Sequence, residues 1–448
     1  MKSFTYSFQY IKYYAKSMIQ KNYLCKNNLR SYQCQQINKM IKNAKSNSPF
    51  YQEFYKGIPF NLEKIEQIKD LPILKKDIFK EAISNEKIIC KNYKTQDLVV
   101  SHTTGSTGTP LEILFDKSTV SKRGKVQNRF WNQMKLYPYN KYAKIWRHKE
   151  LSKYKKSLKK AGLFLPIDLG DVSNPISSAM TSETLKKIVF ELKEFEPQVI
   201  RGYVSALYTI ATQMNEMKIK LNDLDSVVTS AEYLPETMWD FFEKTFQCPV
   251  YNLYGGTEAP SIAVNKSNNH NLVISEDLYF IEVLDENGND VKPGNPGLIT
   301  ITDLYSKATP LIRYQIGDIA IVDDNFFNYD DNFRYFKSVE GRTNDIFELS
   351  NGSLIYTHVW HIYFRDEDWV EKFQVVQKER SLIEIKILVK NKGKGGVRFE
   401  KFKNKIESAF QNVRFRWELV ESISPLKGDK FRAVVSLVDN SFNKLNKA

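Results

Sequence analysis

The sequence predicts an α/β fold: a large N-terminal domain of mostly parallel α/β layers with a β-rich subdomain, followed by a small α+β C-terminal domain. Three observations carry this expectation. From about residue 98 to 260, apolar strand-like runs alternate with polar turns and amphipathic helices, the pattern of a parallel sheet layered with helices. From 272 to 325 the texture changes to short strands broken by turn signals. After Gly341-Arg342 the chain offers paired strands, one helix and two final strands. With 448 residues, 42% of them hydrophobic, two or three domains are expected. The boundaries read as 1–342 for the large domain, its β-rich part at about 272–340, and 343–448 for the small domain.

Each element has a local reason. Residues 31–90 are predicted helical, because "INKMIKNAKSNSPFYQEFY" spaces its apolar residues at helical period. Leu71-Pro72 interrupts that run before another short helix. Leu98-Val99-Val100 and Leu111–Phe115 read as two strands around a loop. Val199-Ile200 leads into a helix at Ser205–Met217, Val227–Thr229 into a helix at Pro235–Phe246, and Val250–Leu253 forms the next strand. Asn287-Gly288 marks a hairpin turn. In the last segment, strands are expected at Phe373–Gln377, Leu382–Leu388, Arg414–Val420 and Phe431–Leu437, with a helix at Phe399–Phe410.

Charge and cysteine usage exclude some functions. The net charge of +14, from 66 Lys+Arg against 52 Asp+Glu, admits nucleic acid or anionic surfaces as partners. The lysines are scattered, however, and the densest run, Arg147 through Lys160, alternates with Leu151, Tyr154 and Leu158 as a solvated helix face would. No aromatic–basic RNA-binding motif or helix-turn-helix pattern is present, so no nucleic-acid partner is expected. Cys25, Cys34, Cys90 and Cys248 form no CxxC pair, which argues against a disulfide framework or a zinc cluster. Residues 1–24 lack an apolar core of the secretory type, and no run reaches the roughly 18 apolar residues of a membrane span. A cytoplasmic location is the expectation.

Five motifs carry candidate chemistry. Residues 101–110, Ser-His-Thr-Thr-Gly-Ser-Thr-Gly-Thr-Pro, hold Gly105 and Gly108 among hydroxyls. Such a run can turn its N–H groups into a nest for anionic oxygens, with Thr104, Ser106 and Thr107 adding donors, or be a loose hairpin connection. It is not a Walker P-loop, since no lysine follows the second glycine. Tyr254-Gly255-Gly256-Thr257-Glu258 follows a strand, where ligands of open α/β sheets sit; its glycines clear room for a planar ring, Thr257 offers a hydroxyl to a phosphate, and Glu258 is an oxygen ligand suited to Mg²⁺. In Arg313-Tyr314-Gln315-Ile316-Gly317-Asp318, the aspartate can accept two ribose hydroxyls, while Arg313 is a structural ion-pair partner or a phosphate contact. Gly341-Arg342 stands at the domain boundary, and Lys427-Gly428-Asp429-Lys430 forms a basic loop near the C-terminus.

In this order, the five motifs resemble those of the adenylate-forming (acyl-adenylate) enzyme superfamily. "NSPFYQEFY" followed by "LPILKKDIF", and "EVLDENGNDVKPGNPGLITITDL", are similar to its phenylacetate–CoA ligase-like branch, which includes CapK-type capsular polysaccharide biosynthesis proteins. The resemblance runs from about residue 36 to 438. It implies an enzyme that activates a carboxylic acid with ATP and Mg²⁺, releases pyrophosphate, and hands the acyl group to an acceptor, most often coenzyme A. It also implies roles. Thr103, Thr104, Gly105, Ser106, Thr107 and Gly108 hold the β and γ phosphates. Ala231 and Glu232 lie along adenine, Tyr254 stacks on the purine beside Gly255 and Gly256, and Thr257 meets the α-phosphate. Glu258 binds the metal, Asp318 takes the ribose with Arg342 assisting, and Lys430 is the catalytic lysine. Tyr203, Ala231 and Gly255 line the acyl pocket. The small domain is implied to be mobile, turning near Arg342. The chain departs from many relatives at Leu111, where they carry lysine, and at Asn344, where they carry Asp or Lys.

The acceptor is not legible: an amine, hydroxyl or carrier in cell-surface polysaccharide synthesis stands beside coenzyme A. A non-catalytic nucleotide-binding scaffold is the remaining alternative, and Glu258, Asp318 and Lys430 argue against it.

Overall fold

The computed structural model describes residues 29–438, apart from 59–60, 103–111, 138, 147–150, 169–181, 268, 328–332, 343–346, 352–353, 356–359, 361–362, 365–366, 391–395, 411–412 and 424–431. Helices Leu29–Asn47, Pro49–Phe54 and Lys76–Ser84 open the described chain. The second starts where Ser48 caps it, its Oγ accepting from the Tyr51 N–H at 3.4 Å, with proline at the first helical position. The two N-terminal motifs are not free-standing. Tyr51 donates its hydroxyl to the Pro310 carbonyl at 2.9 Å, and Leu74 exchanges backbone hydrogen bonds with Arg313 (2.9 Å) and Gln315 (3.0 Å). They buttress the segment that carries Asp318.

Among the described residues the larger sheet has eight strands. Five are parallel, in the spatial order Val250–Tyr254, Ser226–Ser230, Val199–Gly202, Tyr142–Trp146, Phe164–Asp168. Ala143, Ile145, Ile200, Val227 and Val250 point to one face, where they pack on the helices Ser182–Phe195, Val204–Glu216 and Glu236–Phe246. Val199, Val228 and Tyr251 point to the other, against Phe130 and Met134 at the end of the helix Lys117–Gln133. Burial on both faces is why these strands read as continuous apolar runs.

The sheet is extended by antiparallel strands Ala263–Asn265, Leu272–Ile274 and Tyr335–Phe336. The β-rich part is a separate four-stranded antiparallel sheet, Tyr279–Leu284, Pro296–Asp303, Tyr314–Ile321 and Ser338–Arg342. The strand at 272–274, expected in the β-rich part, instead pairs with Ala263–Asn265, because the short connection between them folds back as a hairpin. The turn at Asn287-Gly288 is present, with Gly288 at φ +82°.

The C-terminal segment forms its own four-stranded sheet in the order Arg414–Val420, Leu382–Val389, Val370–Glu379, Val434–Ser436, covered by the helix Gly396–Ala409. Ile383, Ile385, Ile387, Phe402 and Ile406 form its core. No helix among the described residues is long and apolar enough to cross a membrane.

Candidate functional site

The site forms where the parallel strands end. Ser226–Ser230 and Val250–Tyr254 run side by side, and Ser230 Oγ donates to the Leu253 carbonyl at 2.9 Å, tying the two carboxyl ends together. Immediately beyond, Ala231 takes a left-handed conformation at φ +72°, unusual for a residue with a Cβ, and Glu232 follows it. Tyr254 leads into the tight turn Gly255–Glu258. An added Cβ at Gly255 would sit 2.6 Å from the Ser261 nitrogen and 3.1 Å from the Ala259 oxygen, so only glycine fits there. The Gly256 N–H donates to the Ala259 carbonyl at 2.9 Å and closes the turn.

Asp318 reaches the same place from the β-rich sheet. In the pairing with Pro296–Asp303, Leu298 lies opposite Ile319 but Thr300 opposite Gln315, so one residue faces three. This bulge, with Gly317 at φ +83°, turns Asp318 out of the regular ladder. Tyr254 Oη donates to Asp318 Oδ2 at 2.8 Å, and the Tyr254 ring stands edge-on to Phe336, centroids 6.0 Å apart. Arg342 lies opposite Asp318 in the next strand pair. Tyr254, Asp318 and the Arg342 backbone are therefore brought together from three separate strands. The side chain of Arg342, the loop residues Thr103, Thr104, Gly105, Ser106, Thr107 and Gly108, and Lys430 lie outside the described residues.

Beneath the turn sits a residue that sequence reading passed over. Arg123 is 6% exposed; its Nη2 donates to the Glu258 carbonyl at 2.8 Å and to Asp303 Oδ2 at 2.6 Å. The Asp303 carboxylate is held in turn by the N–H groups of Tyr305 (2.7 Å) and Ser306 (3.0 Å). With its carbonyl fixed in this way, Glu258 keeps its carboxylate in the turn, and no basic side chain among the described residues forms an ion pair with it. No cluster of three potential metal-ligating side chains occurs among the described residues. A magnesium ion bound by one carboxylate together with phosphate oxygens and water needs no such cluster, so Glu258 fits that kind of site.

Arg313 is a structural ion-pair partner, the first of the two roles its motif allowed. Its guanidinium pairs with buried Glu282 at 2.7 Å and donates to the carbonyls of Lys69 (3.0 Å) and Leu71. Burial raises the Glu282 carboxyl above its usual range, and Arg313 opposes that rise. Tyr203 is 6% exposed and stacks on Trp146 with centroids 4.1 Å apart, so an acyl group lined by it would meet an aromatic pair. A second residue missed in sequence is Lys372 on the Val370–Glu379 strand. Burial lowers its pKa, while Glu232 and Glu371 work the other way, which places a cation of the C-terminal sheet within the field of the Ala231-Glu232 segment. Nothing in the spacing of Arg123 or Lys372 signals these contacts, since their partners are 135 and 140 positions away in the chain.

Comparison with known proteins places this geometry. A family model described as "AMP-binding enzyme" matches residues 176–303, the stretch that holds Ala231, Glu232 and the Tyr254–Glu258 turn. Protein CapK of Staphylococcus aureus is 27% identical over 426 residues, 92% of this chain and 90% of that protein. A phenylacetate-coenzyme A ligase of Thermus thermophilus is 25% identical over 231 residues, 49% of this chain and 50% of that one. Among solved structures, 2-hydroxyisobutyryl-CoA ligase in the postadenylation state superposes with a TM-score of 0.69 at 18% identity, covering 93% of this chain and 90% of that one. With the Tyr254–Asp318 pair and the glycine turn at the strand ends, these likenesses support an AMP-forming ligase similar to the phenylacetate–CoA ligase-like and CapK branch of the adenylate-forming enzymes.

Proposed function

We propose that this ligase joins a small carboxylic acid to AMP and then passes the acyl group to the thiol of coenzyme A. The observation that carries the nucleotide reading is the hydrogen bond from Tyr254 to Asp318 at the mouth of the glycine turn. It sets an aromatic face and a carboxylate side by side, as a purine with its ribose requires. In this reading Asp318 accepts the ribose hydroxyls, with Arg342 beside it, and Tyr254 lies against the purine with Ala231 and Glu232 along its edge. Gly255 lets the turn pack closely on Ala259 and Ser261, and Gly256 adds no side chain beside Glu258. Thr257 donates to the α-phosphate, and Thr103 to Gly108 hold the outer phosphates with backbone N–H groups.

In the first half-reaction a carboxylate oxygen bonds to the α-phosphorus while the bond to the bridging oxygen breaks and pyrophosphate leaves. In the second, a thiolate sulfur bonds to the acyl carbon and AMP leaves. Both partners of the first step are anions, so their repulsion must be cancelled. A magnesium ion at Glu258 would neutralise phosphate charge, and Lys430 would place its ammonium between the carboxylate and the α-phosphate. Tyr203, Ala231 and Gly255 would line the acyl pocket.

A second acceptor class is favoured by the likeness to CapK over 92% of the chain. In it the activated acyl group goes to an amine, hydroxyl or carrier in polysaccharide synthesis. Pyrophosphate release across aryl, fatty and amino acids, with and without coenzyme A, separates the two. Acyl-CoA formation supports the first; adenylate formation without thioester supports the second; no release with any acid overturns both. Lys430→Ala is expected to lower acid-dependent pyrophosphate exchange by ~10²–10³ while ATP binding stays measurable. Unchanged exchange would refute the role and pass it to Lys427.

A further inference from the structure

One and two strands along the sheet from Ser230, Arg201 and Lys144 converge on one aromatic ring, with Lys155 beside them. Lys144 and Arg201 are direct neighbours in the parallel pairing of Tyr142–Trp146 with Val199–Gly202, so their side chains leave the sheet on the same face. Lys144 Nζ lies 4.4 Å from the centroid of the Trp146 ring, and the Arg201 guanidinium carbon lies 5.6 Å from it. Lys155, on the helix Lys153–Lys160, approaches from the outer strand with its ammonium 5.8 Å from the Phe164 ring. Arg201 Nε is buried without a hydrogen-bond partner. Burial, then Arg201 and Lys155, push Lys144 down to about 6, and burial, then Arg201, lower Lys155 as well. Packing like charges together out of water is costly, and such arrangements concentrate at functional sites. All three side chains remain partly exposed, so a solute can reach them.

The same Trp146 ring stacks on Tyr203, which joins this cluster to the acyl pocket suggested above. At about 4.8 Å per strand, Arg201 stands roughly 5 Å and Lys144 roughly 10 Å from the Ser226–Ser230 strand, and roughly 10 and 14 Å from Val250–Tyr254. That is the reach of an acid of several bonds, measured from its activated carboxylate.

We propose that Lys144, Arg201 and Lys155 form an anion-binding subsite for a second acidic group on the acyl substrate, so that the acid activated here carries a negative charge at its far end. The inference rests on the adenylation reading for the role of the bound acid, and on the cluster alone for anion binding. The far group is a carboxylate or a phosphate; both accept from a guanidinium and an ammonium.

Two measurements on the full chain test it separately. The first compares adipate with hexanoate in acid-dependent pyrophosphate release. The dicarboxylate is expected to have a kcat/KM at least about tenfold higher, and Lys144→Met or Arg201→Gln is expected to bring the ratio toward one. Preference for hexanoate, or a ratio that neither variant moves, overturns the substrate class. The second is calorimetric titration with adipate, without ATP, at pH 8 in buffers of different ionisation enthalpy. An anion that restores the Lys144 charge takes up close to one proton, and Lys144→Met abolishes the uptake. Binding without uptake, or no binding, overturns the site itself, whatever the outcome for adenylation. Inorganic phosphate is the control: if it binds with the same uptake while adipate shows no advantage over hexanoate, the subsite serves a free anion and the substrate assignment fails. Circular dichroism of each variant establishes that it is folded, and Arg201→Gln carries the test should Lys144→Met be unfolded.

Discussion

Replacing one glycine of the turn and not its neighbour gives a sharp test of how the site is held. At Gly255 an added methyl group would meet three backbone atoms: the Ser261 nitrogen at 2.6 Å, the Ala259 oxygen at 3.1 Å and the Pro260 carbonyl carbon at 3.2 Å. Backbone cannot rotate away as a side-chain tip can, so the turn must open. Overpacking of this kind costs about 1–3 kcal/mol. Losing the Gly256 N–H to Ala259 hydrogen bond adds roughly 1 kcal/mol. At Gly256 the methyl group would meet only Glu258 Oε2, at 3.2 Å, the movable end of a side chain. Gly255→Ala is therefore expected to lose roughly 2–4 kcal/mol, seen as a lower urea midpoint, and to lose pyrophosphate exchange because Thr257 and Glu258 shift with the turn. Gly256→Ala is expected to keep its urea midpoint within the equivalent of about 1 kcal/mol. Equal midpoints for the two variants would refute the steric argument. A Gly255→Ala protein with wild-type exchange would refute the link between this turn and the chemistry.

Two further predictions follow from single contacts. Tyr254→Phe removes the donor to Asp318, and one hydrogen bond to a carboxylate is worth roughly 1.5–3 kcal/mol. The expected result is a rise of at least tenfold in the KM for ATP with a smaller change in kcat; an unchanged KM would contradict the nucleotide reading. Lys144→Met tests the cost of the cation cluster through pH. The folded-state pKa, held at about 6 by burial and by Arg201 and Lys155, lies below the ~10.4 of an unfolded chain. Below pH 6 the group is charged in both states and the folded protein bears the whole penalty. Between those values the unfolded chain binds more protons, so stability rises with pH, and above them the penalty is gone. The variant should therefore exceed wild type most at pH 5.5 and approach it by pH 10 in denaturation midpoint; a pH-independent difference would sink this account.

Much of the fold was legible because it is written locally. Apolar runs of strand length separated by helical periods name the parallel layer, and the Tyr254–Glu258 turn falls at a strand end, as its glycines require. What was not legible are the pairings that join distant segments. Tyr254 and Asp318 are 64 positions apart and meet only because a bulge turns the aspartate outward. Arg123 lies in a helix of unremarkable composition, and only the fold sets it beneath Glu258. The basic run before residue 160 read as a solvated face. Most of the helix Lys153–Lys160 is, but Lys155 turns inward over Phe164, because the parallel pairing with Tyr142–Trp146 puts that ring beside the helix. A charge that belongs to a site and a charge that belongs to solvent look alike until the third dimension separates them.

The guanidinium of Arg123 rests on the Phe115 ring, its carbon 4.0 Å from the centroid, while the same side chain grips the Glu258 carbonyl. Phe115 ends the strand that leaves the hydroxyl-rich run at 103–111. One side chain thus serves as a lever with two arms, one against the hairpin and one against the glycine turn. A tilt of the strand pair Val99–His102 and Glu112–Phe115 would be transmitted through a single rigid plane to the backbone that carries Thr257 and Glu258. The strand pair and the glycine turn are in this sense geared to each other, not merely adjacent.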